Sequence, residues 1–287
     1  MEFPTPHIHH PQTEHTHTIV LLHGRGSNGL EFAEELFSSS TSNGQNLASR
    51  LPNYRWIFPT SRDRWSTTFQ EEMCAWFDIH SLCDIQAKQD LQKEGLRESI
   101  LQILELLESE TRLLHGQASR LYLGGMSQGM ATALWVFLAG IATGRIEAPL
   151  GGLVGFSGWL PFAHSLESIL DSDRESSGPC TLHTQGLVAQ FFFSEISNSE
   201  ISPPAKPSDV SVLSTPTFLS HDTDDAWVLV ELGRHASRIL QKIMGHVEWN
   251  ESTGAENEGH WLKEPEGFDQ ILRFLETSAA LHLKRNM

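Results

Sequence analysis

The pentapeptide Gly125-Met126-Ser127-Gln128-Gly129 has the pattern G-x-S-x-G, which can present a serine for nucleophilic attack on an acyl group. The pattern alone is weak, because glycine and serine are common residues. Here it lies between an apolar run at residues 121–123, which predicts a strand, and a longer apolar run at residues 130–142, which predicts a buried helix. A sharp turn between such elements exposes the serine hydroxyl at the carboxyl end of the strand and at a helix N-terminus. We therefore predict that Ser127 is a nucleophile held on a strand–turn–helix elbow.

A serine hydroxyl is a poor nucleophile at neutral pH, so this prediction requires a histidine base and a carboxylate that orients it, in the order Ser, Asp, His. Residues 246–249 predict a strand, and the polar loop after it ends in His260, just before the last predicted helix. We predict that His260 is the base. An earlier strand, predicted at residues 217–220, leads into a loop with three candidate acids: Asp222, Asp224 and Asp225. Position alone leaves the choice among these aspartates open.

The oxyanion that forms when a serine attacks a carbonyl needs preorganised backbone N–H donors. One donor is typically the residue after the nucleophile, and the other lies in the turn after an early strand. Gln128 follows Ser127, and residues 18–22 predict an early buried strand that ends in a glycine-rich turn containing Arg25. We predict that the N–H groups of Arg25 and Gln128 form the oxyanion hole.

Strands and helices alternate along almost the whole chain. The apolar strands are expected to be buried on both faces, which is typical of a mostly parallel sheet with helices on both sides. The predicted strands lie at residues 18–22, 54–58, 121–123, 150–156, 217–220 and 246–249, and the predicted helices at residues 90–114, 130–142, 227–244 and near the C-terminus. A length of 287 residues suits one α/β domain over residues 1–287.

One segment, at about residues 164–213, interrupts this alternation. It is rich in serine, contains Pro203-Pro204 and Pro207, and carries the cluster Phe191-Phe192-Phe193. Its length exceeds that of an ordinary connection. Two interpretations remain open: a partly ordered surface excursion, or an inserted lid whose phenylalanines cover the site.

The formal net charge of −16 argues against binding to nucleic acid or to anionic membranes through a general basic surface. The most apolar run, residues 131–144, is shorter than the about 20 residues that cross a bilayer, so we expect no stable membrane insertion. No secretory signal is evident, and three cysteines form neither a disulfide framework nor a metal cluster. We expect a cytoplasmic protein. The irregularly spaced histidines near the N-terminus do not define a metal site, and no metal is expected.

Several motifs together resemble those of the acyl-protein thioesterases, the phospholipase/carboxylesterase branch of the α/β-hydrolases. The resemblance runs from residue 18 to the C-terminal helix, and its motifs are LHGRGSNG at residues 22–29, AWFD at 75–78, LGGMSQG at 123–129, SGWLP at 157–161 and the final Gly259-His260. It implies the α/β-hydrolase fold, with Ser127 as nucleophile and His260 as base. Residues 221–228 match the family segment His-Gly-x-x-Asp-x-x-Val, which implies Asp225 as the acid.

The resemblance also implies a reaction: hydrolysis of acyl thioesters or carboxylic esters through an acyl-enzyme, without a cofactor. Acylated protein is the favoured substrate. The alternatives are a small-molecule carboxylesterase or thiohydrolase of secondary metabolism, a lysophospholipase and, from a different class, a non-catalytic binding protein on the hydrolase scaffold. Family members often form homodimers, which the sequence neither supports nor excludes. By similarity, an acyl groove would be lined by Trp65, Phe69, Met73 and Trp159, although aromatic residues at such spacing also occur in ordinary packing.

Three features depart from the family pattern. Asp222 replaces the glycine after His221, Arg25 stands where an apolar residue is frequent, and the segment at residues 164–213 is longer than its usual counterpart. The side chain of Arg25 could bind an acidic group of a substrate or point into solvent. We expect solvent.

Overall fold

The computed structural model describes residues 3–172, 182–198, 201–204 and 209–285, and only the backbone of residues 282–285. Seven of its nine strands form one sheet, and the other two form a hairpin. The strands are β1 (His7–His9), β2 (His17–Leu22), β3 (Tyr54–Phe58), β4 (Arg62–Ser66), β5 (Glu71–Ala75), β6 (Leu121–Met126), β7 (Gly152–Phe156), β8 (Thr217–Asp222) and β9 (Val247–Ser252). The sheet order is β1-β3-β2-β6-β7-β8-β9, and every neighbouring pair is parallel except β1 and β3. The prediction of a mostly parallel sheet is confirmed.

Helices cover both faces of this sheet. They are α1 (Gly29–Ser38), α2 (Leu47–Arg50), α3 (Asp90–Leu113), α4 (Gln128–Ala142), α5 (Ala163–Ser172), α6 (Leu182–Phe191), α7 (Val230–Ile243) and α8 (Glu266–Arg285). Side chains alternate across β2, so Val20 and Leu22 pack with α3, α4 and α7, whereas Ile19 and Leu21 pack with α1 and α8. Every residue of α4 is buried, as its uniformly apolar sequence predicts. The sheet is therefore packed between two separate apolar layers.

Two features were missed by the sequence analysis. The edge strand β1 has only three residues, two of them histidines, and carries no apolar run. The hairpin of β4 and β5 is mostly polar, with sequences RDRWS and EEMCA, because it lies outside the main sheet and is largely exposed. Predictions based on apolar runs are blind to strands of this kind.

The described part of the segment at residues 164–213 packs on the side of the sheet that carries α4. The ring of Phe191, in α6, stacks on Trp135 at 5.7 Å, and Phe192 is completely buried in the same apolar layer. A π-helical turn (Phe192–Ile196) and a 3-10 helix (Val210–Ser214) follow. Residues 173–181, 199–200 and 205–208 of this segment lie outside the described residues. None of the helices in the described ranges is both long enough and apolar enough to cross a bilayer.

Candidate active site

Ser127 lies between β6 and α4, where the chain turns sharply with φ 54° and ψ −121°. This conformation is strained for a residue with a side chain and typical of a nucleophile elbow. The flanking glycines are required by space: a Cβ on Gly129 would lie 2.0 Å from the carbonyl oxygen of Leu22, and one on Gly125 would lie 2.6 Å from it. The turn therefore holds Ser127 at the carboxyl end of β6, where it is 9% exposed.

His260 and Asp225 are joined by a hydrogen bond. The Nδ1 atom of His260 lies 2.7 Å from Oδ2 of Asp225, and the Asp225 side chain is completely buried. The bond assigns the proton of the imidazole to Nδ1, which leaves Nε2 as the nitrogen that can accept a proton. His260 and Ser127 line the same cavity. The structure thus brings the predicted serine, histidine and one of the three aspartates together.

The carboxylate of Asp225 is held by four partners. Its Oδ1 accepts from the backbone N–H groups of Trp227 at 2.8 Å and Val228 at 2.9 Å, and its Oδ2 lies 3.2 Å from Nε2 of His221. Burial raises the pKa of Asp225, but the hydrogen bonds from His221, His260 and Val228 outweigh it and hold the pKa well below its usual range. Asp225 is therefore ionised at any pH near neutrality.

The other two candidate aspartates face the loop after β9. Asp222 accepts hydrogen bonds from the hydroxyl of Ser252 and from the N–H of Ala255, and Asp224 accepts from the N–H of Gly254 at 3.0 Å. Both therefore tie the loop that carries His260, whereas Asp225 contacts its ring. The replacement of the family's glycine by Asp222 leaves the histidine–aspartate pair intact.

Gln128 follows the serine at the start of α4, and its side chain is fixed by the backbone of a neighbouring segment. Its Oε1 accepts from the N–H of Trp76 at 2.9 Å, and its Nε2 donates to the carbonyl of Phe77 at 2.7 Å. These bonds lock the first turn of α4, so that the backbone N–H of Gln128 keeps its position beside Ser127.

The turn that contains Arg25 is fixed by His23. The Nδ1–H of His23 donates to the carbonyl of Gly24 at 2.6 Å, and its Nε2 accepts from the N–H of Ser61 at 3.0 Å. Burial lowers the pKa of His23 to about 4, so the ring is neutral, which this bonding pattern requires. The indole N–H of Trp76 donates to the carbonyl of His23 at 2.9 Å. The turn that contains Arg25 is thereby fixed from both sides.

A cavity of about 370 Å³ opens beside Ser127, within the size range of sites for small ligands. Of the four residues expected in an acyl groove, Phe69, Met73 and Trp159 line this cavity. Trp65 does not: it is 54% exposed, because it pairs with Glu72 on the face of the hairpin opposite to Met73. The cavity is also lined by Leu82, Trp227 and Trp261, which were not predicted from the sequence. The two tryptophans lie close in sequence to Asp225 and His260.

Arg25 lies in the wall of this cavity, so the expectation that its side chain points into solvent is wrong. Its guanidinium stacks on the ring of Phe69, with the carbon Cζ 4.5 Å from the ring centroid. Arg25 and Gln128, whose N–H groups are the predicted oxyanion donors, line the cavity together with Ser127.

One group of side chains outside the cavity could hold a metal ion. His164, Glu167 and His235 each offer a ligand atom, and these atoms lie within 4.8 Å of one another. In the structure Glu167 bonds instead with His235 at 2.8 Å and Lys242 at 3.0 Å. This ion-pair network joins α5 to α7.

Comparison with known proteins identifies the family to which the chain belongs. The sequence profile of the phospholipase/carboxylesterase family matches residues 4–176. Acyl-protein thioesterase 1 of Yarrowia lipolytica is 31% identical over 205 residues, which are 69% of this chain and 82% of that protein. Carboxylesterase SOBER1 of Arabidopsis thaliana is 24% identical over 274 residues, covering 93% and 90% of the two chains. The crystal structure of Zea mays acyl-protein thioesterase 2 superposes with a TM-score of 0.65 and 26% identity, and the match covers 96% of this chain and 99% of that one.

Proposed function

Because the chain belongs to the phospholipase/carboxylesterase family and is a serine hydrolase of the α/β-hydrolase fold, we propose that Ser127, His260 and Asp225 are its catalytic triad. The observation that carries the proposal is the hydrogen bond between His260 and buried Asp225 at the cavity that contains the Ser127 elbow. The reaction is hydrolysis of an acyl thioester or carboxylic ester.

In the first half of the reaction, Nε2 of His260 accepts the proton of the Ser127 hydroxyl while the serine oxygen attacks the acyl carbon. Asp225 keeps the imidazole in the correct tautomer and stabilises the imidazolium that forms. The proton then passes to the departing thiolate or alkoxide, and the acyl group remains on Ser127. A water molecule, deprotonated by the same imidazole, hydrolyses the acyl-enzyme and regenerates the serine.

The oxyanion of each tetrahedral intermediate accepts hydrogen bonds from the N–H groups of Arg25 and Gln128. Removing one such donor typically costs a factor of about 10² to 10³ in kcat. A side-chain substitution of Arg25 or Gln128 leaves the backbone N–H in place. Its effect on the oxyanion hole comes through a shift of the turn that His23 holds or of the segment that the Gln128 amide holds. Preorganisation of this kind explains why His23 and Gln128, which hold the two segments, are buried.

The favoured substrates are acylated proteins, with cleavage of the acyl thioester. A small-molecule ester is the second candidate, because the cavity holds about 370 Å³ and carries a charged arginine in its wall. A cytoplasmic location and a homodimer stay predictions. The two described cysteines, Cys74 and Cys83, are free thiols, which is the state that a reducing compartment maintains. Sedimentation velocity measures the oligomeric state directly.

The test is kcat/KM on matched thioesters and oxyesters with acyl chains of two to sixteen carbons, with Ser127→Ala as the control. A preference for thioesters that rises with chain length supports an acyl-protein thioesterase. A preference for short oxyesters supports the small-molecule esterase. Failure of a fluorophosphonate probe to label Ser127 in folded protein would instead support a non-catalytic binding protein.

A further inference from the structure

Arg25 is the cationic side chain nearest to the reacting serine among the cavity-lining residues. The guanidinium carbon Cζ lies over the ring of Phe69, and the Nη1 atom is buried without a hydrogen-bond partner. Burial lowers the pKa of Arg25, and the charge of Asp78 partly opposes this effect. An arginine stays protonated under all such conditions, so the cavity wall carries a positive charge.

The acidic groups around Arg25 are bonded to other residues. Asp78 accepts from the N–H of Thr67 at 2.9 Å and from its hydroxyl at 2.5 Å. Across the cavity, Glu35 accepts from the amide of Asn257 at 2.8 Å. Over the part of the chain that the structure describes, no carboxylate forms an ion pair with Arg25.

Three other half-buried arginines differ from Arg25 in this respect. Arg55, Arg64 and Arg145 each have a carboxylate partner within 3.5 Å, in the pairs Arg55–Glu110, Arg64–Glu98 and Arg145–Glu108. A half-buried charge without a counter-ion is unfavourable, and any ligand that supplies the missing carboxylate recovers that free energy. The guanidinium of Arg25 is therefore available to bind an anion.

We propose that Arg25 is an anion-binding subsite of the cavity, and that the substrate carries a carboxylate close to its scissile carbonyl. The inference rests on the proposed function, because the backbone N–H of the same residue is placed in the oxyanion hole. The distance from scissile carbonyl to carboxylate is then limited to the reach of one arginine side chain. Contact with Phe69 restricts where the guanidinium can lie, and its planar set of N–H donors matches a carboxylate.

The net charge of the protein makes such a subsite consequential. With a formal charge of −16, the surface as a whole repels an anionic substrate. A local cation in the cavity wall reverses this effect at the point where the reaction occurs. Selectivity for a carboxylate would therefore depend on this one side chain.

The experiment uses two pairs of thioesters that differ only by a carboxylate and its neutral carboxamide. In the first pair the group ends a five-carbon acyl chain, a glutaryl thioester against its amide. In the second pair it lies on the leaving group, an acyl thioester of 3-mercaptopropanoate against that of 3-mercaptopropanamide. The ratio of kcat/KM for acid over amide is measured in wild-type protein, in Arg25→Met, and in the control Arg273→Met. The side chain of Arg273, on α8, is 61% exposed, so Arg273→Met removes the same charge from the surface.

We expect the wild-type protein to prefer the acid by about tenfold or more in one pair, as a charge-assisted hydrogen bond supplies. The responding pair shows whether the subsite faces the acyl group or the leaving group. Arg25→Met should bring that ratio to about one, and Arg273→Met should leave it as in wild type. A wild-type ratio near one in both pairs, or a preference that survives in Arg25→Met, would overturn the proposal.

A binding measurement separates this inference from the proposed function. Calorimetric titration of Ser127→Ala protein with glutarate and with glutaramide reports the subsite without turnover. In one outcome, the wild-type protein hydrolyses none of the thioesters, whereas glutarate binds to Ser127→Ala protein and loses its affinity in the Ser127→Ala, Arg25→Met double variant. The triad assignment then fails and the subsite stands. If turnover occurs and glutarate binds no better than glutaramide, the subsite fails and the triad stands.

Discussion

Nε2 of His221 lies 3.2 Å from Oδ2 of Asp225, and both side chains are completely buried. The same His221 nitrogen lies 2.8 Å from the carbonyl of Val228, which identifies it as the protonated, donating nitrogen. Asp225 thus accepts a hydrogen bond from a histidine that never reaches the cavity as well as from the proposed base. His221 is a positioning residue: it fixes the carboxylate that in turn fixes His260.

Asp225→Asn tests the acid of the proposed triad. An amide at this position stabilises the wrong tautomer of His260, and by analogy with other triads we expect kcat to fall by a factor of about 10³ to 10⁴. The control is Asp224→Asn, at an exposed residue that bonds only with the loop at Gly254. Steady-state kinetics on a short thioester measure both. Equal losses in the two variants would show that Asp225 acts through the loop and not through the histidine.

The sequence predicted that Ser127 and His260 lie close together better than it predicted the surroundings of these residues. Ser127 and His260 follow from their places after predicted strands, because turns at the carboxyl ends of parallel strands meet at one edge of a sheet. The three aspartates could not be separated in this way, since their side chains differ only in direction, and the family segment was needed to favour Asp225. The role of His23 was hidden because a buried neutral histidine and a solvated one have the same sequence signature.

The tertiary placement of Arg25 and Trp65 was the hardest to predict. Both lie beside exposed turns, where no apolar periodicity fixes which way a side chain points. The pairing register of the hairpin decides the orientation of Trp65, and stacking on Phe69 decides that of Arg25. Arg25 and Phe69 are 44 residues apart in sequence, and the hairpin register is a pairing between two mostly polar strands, so local apolar patterns encode neither contact.

Gly233→Ala tests the positioning role of His221. A Cβ at Gly233 would lie 2.5 Å from Nδ1 of His221 and 2.7 Å from the ring of Trp249, so His221 must move. We expect the free energy of unfolding to fall by about 1 to 3 kcal/mol, the usual cost of overpacking, and kcat to fall while KM changes little. Urea denaturation and steady-state kinetics check the two effects.

The matched control is Gly186→Ala in α6. No atom lies within 4 Å of its added Cβ, and alanine is the better helix former, so a stabilisation of about 0.4 to 1 kcal/mol is expected. If Gly233→Ala lowers stability but leaves kcat at the wild-type value, His221 has no role in positioning Asp225.

Phe191→Ala tests the interpretation of the segment at residues 164–213. Phe191 is buried against Trp135, and neither residue lines the cavity. Its truncation should destabilise the protein by about 3 to 5 kcal/mol and lower the Tm by several degrees. Measured well below the Tm, kcat/KM should stay within about twofold of wild type for every acyl length. A loss that grows with acyl length would support the lid interpretation.

His23 predicts a pH dependence of stability. Its folded-state pKa is lowered to about 4, whereas an unfolded histidine titrates near about 6.5. Between these values the unfolded chain binds more protons than the folded one, so the free energy of unfolding falls as the pH falls. The full contribution is present above about pH 6.5, and a loss of about 3 kcal/mol accumulates by about pH 4. Urea denaturation at a series of pH values measures this slope.

His23→Gln should flatten that slope, because glutamine retains a donor and an acceptor but does not titrate in this range. It should also lower kcat by loosening the turn that carries the Arg25 N–H, which His23 fixes through Gly24 and Ser61. His246→Gln, at an exposed histidine, is the control and should keep the wild-type slope and kcat. An unchanged slope in His23→Gln would assign the acid sensitivity of the fold to other groups.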